Sequence, residues 1–158
     1  MGLAEVDEAL RLVADRPDRS FFAGERPPAL LAAAERALGL SFPPSYRAFL
    51  RRLGAGNVGA SELYGVIDDN FTDSAVPDGI WMTLRGREAW GLPRSMVVVY
   101  GDGFGGYFVL DTAKTDEDGE CPVLVWQPGR SERSEELEFI APDFGSFFLE
   151  TARRALET

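Results

Sequence analysis

The chain contains no histidine and only one cysteine, Cys121. The missing histidine excludes Ser-His-Asp and Cys-His catalysis, imidazole metal ligation and imidazole-based pH switching. The lone cysteine excludes an internal disulfide and a thiolate metal cluster. Followed closely by Val123-Leu124-Val125-Trp126, Cys121 reads as a small core hydrophobe of a protein kept in a reducing compartment. Long apolar runs are missing as well. The longest uncharged stretch, residues 37–46, is ten residues with two prolines, whereas a bilayer span needs about 20 apolar residues. The N-terminal MGLAEVDEAL lacks the basic start of a signal peptide, and Val6 stands where a myristoylation site needs Ser or Thr. These absences lead to the expectation of a cytoplasmic protein that does not engage a membrane.

Basic residues are in deficit: 16 Lys+Arg stand against 26 Asp+Glu, a formal charge of −10. Nucleic acid is therefore a poor partner, because binding it requires a basic surface that displaces counterions. The deficit is uneven. Residues 1–60 hold 7 acids and 8 bases, net +1, and residues 61–158 hold 19 acids and 8 bases, net −11. The acids of the second part fall in clusters: Asp68, Asp69 and Asp73; Asp116, Glu117, Asp118 and Glu120; and Glu132, Glu135, Glu136 and Glu138. Such clusters can serve as solvated loops, or as a negative surface that speeds encounter with a basic protein.

What is present supports a packed fold, with 45% hydrophobic and 27% charged residues and a length expected of one domain: an N-terminal helix and link over 1–26 and a core over 27–158. Leu3, Val6, Leu10 and Val13 recur at helical spacing. A second helix is predicted from Pro27-Pro28 to Gly39, and a third from Pro43-Pro44 to Gly54, with Tyr46, Phe49, Leu50 and Leu53 on one face. The run Gly54-Ala55-Gly56-Asn57 reads as a turn. Beyond it the period shifts toward two, predicting strands over 62–67, 96–100, 106–111, 122–127 and 137–140, with a short helix within 79–92 weakened by Gly86 and Gly91. Phe144, Phe147 and Phe148 mark the core face of a closing helix. The fold class is α+β: N-terminal helices, an antiparallel meander of five to six strands, and a C-terminal helix.

The motifs that could carry chemistry are few. Gly101-Asp102-Gly103-Phe104-Gly105-Gly106 has the composition of a dinucleotide loop, but a strand rather than a helix follows it, so it reads as a hairpin turn. The loop 116–120 has carboxylates without the spacing of a calcium-binding hand, so neither a metal nor a cofactor is expected. A carboxylate-based hydrolase would need one acid and one base singled out in a cleft, and no pair stands out. Trp126 reads as core, and Trp81 and Trp90 as partly exposed.

In order and spacing these motifs resemble the SUKH superfamily, which is named in part for a fungal cell-wall regulator and is widespread among bacterial immunity proteins. The residues that carry the resemblance are Leu38-Gly39, then Phe42-Pro43-Pro44-Ser45-Tyr46-Arg47-Ala48-Phe49-Leu50, Leu63-Tyr64-Gly65, Asp102-Gly103-Phe104-Gly105 leading to Asp111, then Pro122-Val123, Trp126 and Ser146-Phe147-Phe148-Leu149. Gly54-Ala55-Gly56 departs from the usual Asn-Gly-Gly, and Gly106 stands where a polar residue is common. The resemblance implies a non-enzymatic protein that binds and occludes a cognate toxin, often a nuclease with a basic face. The expected partner contacts are Asp68, Asp69, Asp73, Asp102, Asp116, Glu117, Asp118 and Glu120, with Trp81 and Phe104 as apolar anchors. The alternative is a regulatory or scaffolding domain that binds a non-toxic cellular protein.

Overall fold

The computed structural model describes residues 2–134 and 136–157. Glu135, counted with the third acidic cluster, lies outside the described residues. The elements are α1 (Leu3–Asp15), β1 (Ser20–Phe22), α2 (Pro28–Leu38), α3 (Pro44–Leu53), β2 (Gly56–Val58), β3 (Ser61–Leu63), α4 (Gly79–Ala89), β4 (Met96–Gly101), β5 (Tyr107–Asp111), β6 (Val123–Trp126), β7 (Phe139–Ala141) and α5 (Phe144–Glu157). Short 3-10 turns at Pro17–Arg19 and Ser131–Arg133 punctuate them.

The strands form one antiparallel sheet in chain order from β1 to β7. This is the expected meander, two strands longer at its start. Residues 20–22 and 56–58 pair with each other, Phe22 opposite Gly56, where a polar link and a turn were predicted. Three-residue strands are too short to display a period, so their hydrogen bonds, not their side chains, define them. The predicted strand over 62–67 shortens to β3, because the chain beyond Leu63 turns away and makes a single bridge, Gly65 to Asp78. The weak helix within 79–92 is the well-formed α4: Oδ1 of Asp78 accepts from the backbone N–H of Ile80 and Trp81, both at 3.0 Å, an N-cap that outweighs an internal glycine.

Both faces of the sheet are covered, which is why the central strands read as apolar runs instead of alternating. Val97, Val99, Leu110 and Val123 face the larger core, where α3 and α5 bring Tyr46, Phe49, Phe144 and Phe148 together. Ring centroids there lie 4.8 Å (Tyr46–Phe144) and 5.1 Å (Phe49–Phe144) apart, within the range of favourable aromatic pairs. Met96, Val98, Val109, Leu124 and Trp126 face a smaller core closed by Tyr64, Met82 and Leu92. One bond ties two of the sequence motifs together. The buried hydroxyl of Tyr46 donates to the carbonyl of Tyr64 at 2.8 Å, fastening α3 to the chain just beyond β3.

Candidate partner-binding surface

Two acidic turns share one design. At the β4–β5 hairpin, Oδ1 of Asp102 accepts from the backbone N–H of Phe104 (2.7 Å) and of Gly106 (3.0 Å), while the Asp102 N–H donates to the Gly106 carbonyl at 3.0 Å. At the β5–β6 connection, Oδ1 of Asp116 accepts from Asp118 (2.8 Å) and Glu120 (3.0 Å), while its N–H donates to the Glu120 carbonyl at 2.8 Å. Each is an aspartate bonding the amides two and four residues on, with a left-handed glycine at the third place, Gly105 and Gly119. The shared Asp-x-x-Gly spacing is the sequence signal for this double turn. At Gly106 a β-carbon would come within 2.5 Å of Oδ2 of Asp102. Glycine here leaves room for the carboxylate to fold over its own turn.

The hairpin presents Phe104, a residue 95% exposed. Because β5 leaves this turn at Tyr107 and reaches the next loop after Asp111, Asp102 and Phe104 stand at one end of the sheet and Asp116, Glu117 and Asp118 at the other. Five strand residues separate the ends by on the order of 15 Å. Asp68, Asp69 and Asp73 are exposed on a third segment between β3 and α4. There Oδ1 of Asp68 accepts from Asn70 at 2.9 Å, and Oδ1 of Asn70 accepts from Asp73 at 3.1 Å. Trp81, half-buried on α4, lines a cavity with Phe71 and Thr72 of that segment. The structure thus brings Asp102 to Phe104, and the 68–73 segment to Trp81, but holds Asp116–Asp118 apart from the hairpin.

Glu120 requires a correction. Expected at the surface with its loop, it is 1% exposed. Its carboxylate accepts from the N–H (3.0 Å) and hydroxyl (2.8 Å) of Ser45 in the first turn of α3, and the Ser45 hydroxyl oxygen accepts from Gly145 N–H (3.0 Å) in the first turn of α5. Burial pushes the Glu120 carboxyl above its usual range, against the opposing pull of the Ser45 donors. It joins two helix starts, where unpaired N–H groups favour an acid, and offers nothing to a partner. Asp143, also buried, caps α5 through Ser146 N–H at 2.7 Å. Asp78 is completely buried at the start of α4, and burial likewise raises its carboxyl. Sequence reasoning reads Pro142-Asp143 as the start of the closing helix, as the structure has it, but missed Asp78 and Glu120 as helix-end groups.

It also missed Phe21 and Phe139, 72% and 60% exposed on β1 and β7, the two edges of the sheet. Trp126 is core, at 2% exposure, and Trp90 stacks on Tyr107 with centroids 4.6 Å apart. Among the described residues no group of three acidic or thiol side chains converges to hold a metal, and no helix is long and apolar enough to cross a membrane.

Residues 28–148 match the SUKH_6 family model, described as SMI1-KNR4 cell-wall. The chain belongs to the SUKH family. The match begins at α2 and ends within α5, so it spans the whole aromatic core and every strand after β1. SUKH membership points to a protein-binding domain of the immunity type, in a family that is generally non-enzymatic. The SUKH core is built from the residues that carried the resemblance: Tyr46 on the Tyr64 carbonyl, Asp102 folding its hairpin, and Phe148 against Phe49 at 5.2 Å.

Proposed function

We propose that this SUKH protein is a cytoplasmic bacterial immunity protein that binds a cognate toxin domain and blocks it by stoichiometric occlusion. The observation that carries the reading is Phe104: an aromatic residue 95% exposed at the tip of a turn hydrogen-bonded by Asp102. An uncovered ring on a hydrogen-bonded turn beside a carboxylate suits a partner with an apolar pocket in a basic surface. The −11 of residues 61–158 supports the same kind of partner, since an acidic surface can raise association rates roughly ten- to a thousandfold at low salt. A nuclease, whose catalytic face is basic, fits this description.

The placement of the acids divides their roles. Asp102 and Phe104 make the contact, whereas Asp116, Glu117 and Asp118, at the far end of the sheet, act at a distance by steering. Asp68, Asp69, Asp73 and Trp81 would form a second flank of a large partner. The test is affinity capture from a lysate of the source cells, followed by co-expression with any toxin domain retained. Protection of the host cell and a one-to-one complex, both lost in Phe104→Asp, support the reading. A bound partner without toxicity would move it to the regulatory alternative.

A further inference from the structure

The net charge of the chain conceals a local reversal. The cavity of about 630 Å³ between α1 and α3 sets Arg26, Arg51 and Arg52 against Asp7 and Glu25, and Arg26 is already engaged with the carbonyls of Val66 (3.0 Å) and Glu25 (2.9 Å). The cavity of about 420 Å³ beside α4 is different. Arg85, Arg87 and Arg94 line it with one acid, Glu88, and its wall includes Trp81 and Phe71. Its formal balance is +2 in a chain of −10.

These three guanidinium groups have no acid of their own. Among the described residues none of them forms an ion pair. Arg85 sits over the Trp81 ring, 5.2 Å from its centroid. Arg87 donates to the carbonyls of Leu38 (2.6 Å) and Arg94 (2.9 Å), and its Nε is buried without a hydrogen-bond partner. Burial, and then the neighbouring charge of Arg94, push the Arg87 pKa down, as expected where like charges gather uncompensated. A bound anion would relieve that repulsion.

The chemistry of the lining narrows the anion. Guanidinium forks match the spacing of phosphate oxygens and bind them through paired donors. A phosphate monoester carries about −1.5 to −2 charges at pH 7, which complements a balance of +2 better than a single carboxylate does. The volume lies within the roughly 300–1,000 Å³ of small-molecule sites, and Trp81, Phe71 and Leu84 leave an apolar wall for whatever the phosphate is attached to. Asp69 and Asp73, exposed beside the lining residues Phe71 and Thr72, reduce the pull on an anion, whereas acids more than about 8 Å away are largely screened at physiological salt.

We propose that this cavity binds a small phosphate-bearing molecule, with Arg85 and Arg94 holding the phosphate and Trp81 and Phe71 packing against its organic part. The site needs no protein partner to form, although its Trp81 also belongs to the flank proposed for one. It is tested by titrating the full chain with phenyl phosphate, inorganic phosphate and benzoate at constant ionic strength, using calorimetry and the NMR signals of the arginine Nε–H groups. Phenyl phosphate should bind one-to-one and saturably, shifting Arg85 and Arg94, with inorganic phosphate weaker at the same residues and benzoate weaker by about tenfold or more. Arg85→Gln and Arg94→Gln, both exposed positions, should each weaken phenyl phosphate by about tenfold while leaving circular dichroism unchanged. Absence of saturable binding, or benzoate binding as tightly, overturns the proposal. Unchanged affinity in both variants overturns it too, as an adventitious ion only.

Discussion

Oδ1 of Asp102 accepts the backbone N–H of Phe104 at 2.7 Å, so one side chain both supplies negative charge and holds the turn that carries the ring beside it. Charge and conformation are separable here, because asparagine keeps the acceptor oxygen and loses only the charge. Asp102→Asn should fold with wild-type stability and slow association with a basic partner. Asp102→Ala should remove the acceptor that serves both amides and cost about 1 kcal/mol. Denaturant melts of the pair check this; equal destabilisation by both variants would remove the turn-holding role.

Phe104 makes no contribution to the core at its exposure of 95%. Phe104→Ala should therefore leave the unfolding midpoint unchanged and raise the dissociation constant for the protein partner by about tenfold or more, as truncation of a central aromatic anchor does. Surface plasmon resonance on the complex, beside a thermal melt, separates the two effects. Loss of stability without loss of affinity would contradict the assignment.

The Glu120 carboxyl is raised in the folded state, chiefly by burial, so the native protein holds that proton more tightly than the unfolded chain. Its contribution to stability is fully present below the ordinary glutamate range and disappears as pH rises through the raised value. Glu120→Gln cannot ionise. Its stability relative to wild type should therefore climb as pH rises through and above the ordinary glutamate range. A gap that stays constant across that range in urea titrations would show that Glu120 does not titrate abnormally.

The Cys121 thiol is pushed up to about 12 by burial, with Glu120 the next cause. At 1% exposure it should resist a disulfide reagent at pH 8 in the native protein and react fully once unfolded in guanidinium, since the thiolate is the nucleophile. Rapid labelling of the folded chain would place the sulfur at the surface instead.

The Tyr46 hydroxyl, held neutral by burial, donates to the Tyr64 carbonyl at 2.8 Å. Tyr46→Phe keeps the ring against Phe42 and Phe144 but strands a buried acceptor, so it should cost about 1–2 kcal/mol. Chemical denaturation measures it, and a neutral outcome would mean that water or a shifted donor satisfies the carbonyl.

Much of this protein was determined by sequence alone, for a local reason. Pro43-Pro44 sets the start of α3, Tyr46, Phe49 and Leu50 set its buried face, and the apolar run 96–99 marks a strand covered on both sides, because helix starts and periodicity depend on residues within a few positions of one another. The aspartate turns were legible in part: Asp102 and Asp116 stood out as charge, while their hydrogen bonds to amides two and four residues on lay in the same short stretch.

What only the tertiary structure decided depends on residues far apart in the chain. Whether Glu120 meets solvent or Ser45 is settled by α3, 75 residues earlier. Whether the acidic loops share one face is settled by the direction of β5, and the pairing of residues 20–22 with 56–58 by a crossing that leaves no periodic trace. Arg87 and Arg94 join Arg85 around one cavity because α4 turns back into β4 beside the end of α2. Charge counted along a sequence is blind to such convergence, since electrostatic energy depends on distance through space.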